Sequence, residues 1–138
     1  MKPNVRFVRL PHNVDLPLPS YETSGSAGMD LSAAIKETIV LQSLERTAIP
    51  TGLQIAISDG FEGQVRPRSG LAFRHGLTVT NAPGTIDSDY RGELKVLLVN
   101  LGSDAVTIER GMRIAQLVIA PAVQASVSEV ATLDETDR

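Results

Sequence analysis

Apolar residues come in short runs separated by Gly, Pro, Asn and Asp, and several runs alternate with polar residues at a period of two. This pattern predicts strands over Val5–Leu10, Met29–Ala33, Thr38–Leu41, Leu53–Ile57, Leu77–Thr80, Glu93–Leu101, Ala105–Ile108 and Met112–Ala120. In the fourth, Leu53, Ile55 and Ile57 fall on one face, with Gln54 and Ala56 on the other. Leu94–Leu98 and Ile114–Ile119 are nearly continuous apolar runs, which fit strands covered on both faces or packed against another subunit. Turn signals recur at Pro50-Thr51-Gly52, Asp59-Gly60, Gly63, Gly84, Gly92, Gly102-Ser103-Asp104 and Gly111. Many short strands with frequent turns indicate an all-β sandwich or barrel. One short helix is predicted between Ser69, an N-cap residue type, and the C-cap glycine Gly76. Its Leu71 and His75 would share a face. A second helical candidate, Glu109–Ile119, is rich in β-branched residues and bounded by Gly111 and Pro121, so strand is favoured there.

The 138 residues suit one domain, expected over residues 1–127, followed by a polar, acidic arm over 128–138. There is no Cys, which excludes disulfides, thiolate metal sites and a Cys nucleophile. His12 and His75 are the only imidazoles, which disfavours a His-rich zinc centre. No run approaches the roughly 20 apolar residues needed to span a bilayer, and the first residues lack a signal-peptide core. A soluble, cytoplasmic protein is expected, without membrane association. The net charge of −3 argues against broad nucleic-acid binding. Residues 64–95 nevertheless hold five basic groups against three acids, a balance of +2 that leaves −5 elsewhere. A local positive region in an acidic chain suits a small anionic ligand, and a solvated charged surface is the plainer alternative.

Four segments carry candidate chemistry. In Ala27-Gly28-Met29-Asp30-Leu31-Ser32-Ala33, Asp30 is a lone carboxylate among small and apolar neighbours, suited to capping a turn or binding an arginine. In Arg66-Pro67-Arg68-Ser69-Gly70-Leu71-Ala72-Phe73, a rigid basic stretch runs into the helix start. The Ser69 hydroxyl, the Gly70 backbone and the Arg68 guanidinium could together hold a phosphate there, although a P-loop pattern is absent. The third segment runs from Asn81 to Lys95, with apolar strands flanking a Pro-Gly turn, so a β-hairpin is predicted. Asn81 mixes donor and acceptor as a pyrimidine edge does, and Tyr90 could pack on a sugar or base. Asp87 could take a proton from water; Asp87-Ser88-Asp89 could instead bind a divalent cation, or simply face solvent. In Gly111-Met112-Arg113-Ile114-Ala115-Gln116-Leu117-Val118, Arg113 and Gln116 interrupt an apolar strand, and their spacing of three predicts opposite faces.

Taken together, AGMDLSA, RPRSGLAF, NAPGTIDSDYRGE and RIAQLVI resemble the motifs of the dUTP pyrophosphatase (dUTPase) family, in the family's order and over roughly residues 5–138. The resemblance implies a jelly-roll-like β fold with one short helix, and a homotrimer with active sites between subunits. It implies hydrolysis of dUTP to dUMP and pyrophosphate. Asn81, Gly84, Thr85, Ile86 and Tyr90 would bind the nucleoside, Lys95 would join the substrate-binding set, and Arg68, Ser69, Gly70 and Gln116 would hold the phosphates from a neighbouring subunit. Asp87 would be the general base. Mg²⁺ would be chelated chiefly by the triphosphate, with Asp30 reaching it through water. The family usually continues beyond a Thr-Asp-Arg segment into a Gly-rich tail with an aromatic residue, whereas this sequence stops at Thr136-Asp137-Arg138, so turnover by the chain as given is expected to be impaired. Other readings are a dCTP deaminase of similar fold, a bifunctional deaminase–pyrophosphatase, or a module that binds dUTP without hydrolysing it.

Overall fold

Period-two alternation turns one side of each strand toward a common interior, and ten strands with one short helix result. The computed structural model describes residues 1–138. In chain order the elements are β1 (Val5–Arg9), β2 (Gly28–Ser32), β3 (Ile39–Leu41), β4 (Arg46–Ile57), β5 (Phe61–Arg66), α1 (Ser69–His75), β6 (Leu77–Val79), β7 (Gly84–Ile86), β8 (Glu93–Asn100), β9 (Val106–Ile108) and β10 (Arg113–Pro121). They form two four-stranded sheets, ordered β1-β4-β8-β6 and β2-β10-β5-β7, and a β3-β9 pair. Every pairing is antiparallel, as the all-β, jelly-roll-like expectation requires. Leu31, Ile49, Leu94, Val96, Leu98 and Leu117 are wholly buried between the sheets. No helix is long and apolar enough to cross a membrane.

Several boundaries depart from the sequence reading. Strand β4 begins at Arg46 rather than Leu53, and its pairing with β8 shifts register between Pro50 and Gln54. Pro50, which donates no N–H, is accommodated at that irregularity. Strand β5 was not expected at all. The residues flanking the expected hairpin do pair, Leu77 with Asn100 and Val79 with Leu98. Between them, however, the chain crosses to the other sheet, and Gly84–Ile86 adds to the edge of β5 as β7. Helix α1 takes Arg68, not Ser69, as its N-cap, without a side-chain cap, and ends as expected on Gly76 in the left-handed conformation. Leu71 is buried, but its predicted face-mate His75 is exposed. Strand β8 alternates: Lys95 and Leu97 are exposed between buried Leu94, Val96 and Leu98, so one chain covers only one of its faces. Regular structure stops at Pro121, short of the arm expected from Ser128, and Val123, Val127, Val130 and Leu133 lie exposed beyond it.

Candidate active site

The four motif segments, scattered over some ninety residues of sequence, fall on adjacent strands of one sheet. AGMDLSA forms β2, RIAQLVI forms β10, RPRSGLAF leaves the end of β5, and NAPGTID contains β7; the sheet order is β2-β10-β5-β7.

On the outer face of β2 and β10, Asp30 binds two arginines at once. Its Oδ1 lies 3.1 Å from Arg68 Nε and its Oδ2 3.5 Å from Arg113 Nη1. Arg68 Nη1 also donates to the Arg113 carbonyl at 3.4 Å. Gln116 sits opposite Asp30 on one side and Arg66 on the other, and its Nε2 donates to Pro67 O at 3.0 Å. Gly28 makes room for it: a Cβ there would lie 2.3 Å from Gln116 Oε1. The expected opposition of Arg113 and Gln116 fails because β10 shifts register between Arg113 and Ala115. Ile114 and Ala115 both turn into the core, which returns Arg113 to the outer face beside Gln116. Ser69 is exposed at the first helical position with no hydrogen-bond partner for its hydroxyl, and Gly70 is half-buried next to it. Arg68, Ser69, Gly70, Gln116 and Asp30 are thus gathered into one cradle, to which the structure adds Arg113.

The loop from β6 to β8 carries the remaining candidates. Gly84 is buried against β5, while Asn81, Thr85 and Asp87 are exposed and Ile86 is half-buried. Tyr90 folds over Gly92 and donates its hydroxyl to the Glu93 carbonyl at 2.6 Å. Arg91 fixes the loop from within, donating to Ser88 O at 2.7 Å and Tyr90 O at 2.9 Å. Lys95 stands apart on β8, opposite Pro50, with no polar partner. Sequence reasoning missed the anchor of this loop. Glu93 Oε2 accepts the Gly52 N–H at 2.9 Å and meets His12 Nε2 at 2.7 Å. No local signal marks a contact between residues 81 positions apart.

Within one chain, loop and cradle diverge. Strand β7 runs antiparallel to β5, with Gly84 opposite Val65 and Ile86 opposite Gly63. That carries Asp87 away from the Arg66 end by roughly 13 Å at about 3.3 Å per residue. Neither the hollow of about 320 Å³ beside the C-terminal end of α1 nor the groove of about 570 Å³ over β1 and β4 coincides with the cradle.

The dUTPase family model matches residues 14–138. Among curated relatives, the deoxyuridine 5'-triphosphate nucleotidohydrolase of Rhizobium leguminosarum bv. trifolii is 57% identical over 100% of this chain and 90% of its own. The enzyme of the same name from Mesorhizobium japonicum is 61% identical over 92% of this chain and 80% of its own. A solved dUTPase from phage phi11 of S. aureus, described with a coordinated structural Mg(II) ion, superposes with a TM-score of 0.84 at 23% identity, covering 96% of this chain and 99% of that one.

Proposed function

The chain belongs to the dUTPase family, and on that premise we propose that it hydrolyses dUTP to dUMP and pyrophosphate by attack of water on the α-phosphorus, at sites shared between the subunits of a homotrimer. The observation that carries this reading is the convergence of the four motifs on neighbouring strands of one sheet. Asp30 holds Arg68 and Arg113 in place before any ligand arrives, so a triphosphate would meet oriented guanidinium groups. Gln116, Ser69 and Gly70 would complete the phosphate contacts, and Lys95 remains in the substrate-binding set by resemblance alone. Asn81 and the backbone of Gly84, Thr85 and Ile86 would read the uracil edge, with Tyr90 against the deoxyribose. A mismatched base would leave these polar groups unpaired, the situation in which a pocket discriminates most strongly.

Asp87 would accept a proton from the attacking water. As the water oxygen bonds to the α-phosphorus, the bond to the bridging oxygen breaks and pyrophosphate leaves with that oxygen. No group of three or more His, Asp or Glu side chains converges in the structure, and both oxygens of Asp30 already face arginines. Such donors fit a magnesium ion held chiefly by the triphosphate and water, with Asp30 behind a water. Bound this way, Mg²⁺ would neutralise charge on the phosphate oxygens. The reading places the enzyme in the cytoplasm, beside the nucleotide pool, where it would limit uracil entry into DNA and supply dUMP for dTMP synthesis.

Pyrophosphate release measured with Mg²⁺ over dUTP, dCTP, dTTP and UTP is expected to favour dUTP strongly. Ammonia release from dCTP would instead identify a deaminase, and tight dUTP binding without pyrophosphate would identify a binding module.

The trimer is supported by the divergence of Asp87 from the cradle within one chain and by the exposed Phe73, Val123, Val127 and Leu133, which a lone subunit leaves in water. Light scattering on a sizing column should give about three times the 14.8-kDa chain mass. A monomeric mass with full activity would remove the shared site.

A further inference from the structure

We propose that Arg74 is a further substrate-binding residue, a guanidinium held in reserve for the outer phosphates of the nucleotide. The proposal rests on the reading of Arg68, Ser69 and Gly70 as the phosphate-holding segment.

The other arginines around the cradle are already engaged. Arg68 and Arg113 share Asp30, and Arg66 donates to Gln64 Oε1 at 3.0 and 2.6 Å. Arg74 alone among them makes no hydrogen bond and no ion pair. It stands four residues after Gly70 in α1, on the same helix face, and helical side chains lean back toward the N-terminus. The guanidinium follows that direction: its two terminal nitrogens lie 3.1 and 3.3 Å from where a Cβ on Gly70 would be. An unneutralised positive charge therefore rests directly against the backbone assigned to phosphate.

Helix electrostatics do not account for this placement. A cation in the last turn is stabilised by the free carbonyls of the C-terminal end. Arg74 belongs to that last turn, yet its guanidinium lies back along the helix at Gly70. An arriving anion would neutralise this unpaired charge, and a guanidinium can give two parallel hydrogen bonds to a phosphate group. Because Gly70 has no side chain, nothing separates the two. Arg74 would thus bind phosphates that dUTP has and dUMP lacks.

The test compares wild type with Arg74→Gln and Arg74→Lys, by calorimetry with dUMP and with a non-hydrolysable imido analogue of dUTP, and by steady-state kinetics on dUTP. Arg74 is exposed, so the variants should keep the wild-type melting temperature and assembly. Arg74→Gln is expected to weaken the triphosphate analogue about 10- to 100-fold and to raise KM for dUTP, while dUMP affinity stays within about twofold. Arg74→Lys should recover part of the loss. Unchanged affinity for the analogue overturns the proposal, as does an equal loss for dUMP, which would mark a structural role. Arg68→Gln is measured alongside. If it weakens the analogue while Arg74→Gln does not, only this proposal falls; if neither does, the phosphate reading falls as well.

Discussion

Asp87→Asn should lower pyrophosphate release from dUTP by about 10²- to 10⁴-fold, the usual contribution of a general base, while leaving fold and dUMP affinity intact. The substitution is nearly isosteric, and the surroundings of Asp87 tolerate it. The carboxylate is exposed just past β7 and makes no side-chain hydrogen bond or ion pair; only its backbone carbonyl is engaged, by the Tyr90 N–H at 3.1 Å. Nothing in the loop therefore depends on its charge, and lost activity would report lost chemistry. Asp89→Asn serves as the control, expected within a few-fold of wild type. Comparable turnover by Asp87→Asn and wild type, measured as released pyrophosphate with Mg²⁺, would strike Asp87 from its role.

A large effect on stability is expected from Gly52→Ala. Gly52 has φ of +67°, and an added Cβ would lie 2.3 Å from Asn13 Cβ and 3.3 Å from Ala34 Cβ. A non-glycine residue in this conformation costs roughly 1–2 kcal/mol. The overlap adds to it, because Asn13 is not free to retreat: it is 2% exposed, and its Nδ2 donates to Thr51 O at 2.8 Å. A total loss of about 2–5 kcal/mol is expected, in the range of overpacked and backbone-strained variants. Gly60→Ala separates the two contributions, since Gly60 has φ of +84° with nothing within 4 Å of its would-be Cβ. It should lose only about 1–2 kcal/mol. Urea midpoints at one fixed subunit concentration provide the measurement, and equal midpoints for the two variants would show that Asn13 yields. The damage should also reach the loop between β6 and β8, because the Gly52 N–H is one of the two groups that hold Glu93.

Most long strands were legible because their own alternation, as in Leu53–Ile57, states which face is buried. What escaped were elements defined by their neighbours. Strand β5 reads Phe-Glu-Gly-Gln-Val-Arg, with a glycine that weakens the local preference; it is extended because β10 and β7 flank it. Strand β7 is three residues long and hidden in turn chemistry. In the site, the motifs named Asp30, Arg68 and Gln116 as candidates, but not the carboxylate's grip on two arginines 38 and 83 residues away. The expected opposition of Arg113 and Gln116 failed for a definite reason. Regular alternation separates residues three apart, and a bulge is a pairing property that one strand's sequence does not display.

That bulge gives β10 one residue that its ladder with β2 does not need. Removing Ile114 would let the ladder with β2 run straight and would still leave Ala115 and Leu117 facing inward. Arg113 would also stay on the outer face beside Gln116, so the deletion would leave Asp30 its two arginines and cost only the buried Ile114 side chain. A chain one residue shorter here could keep both its architecture and the pair of charges that its carboxylate organises, giving up only core packing.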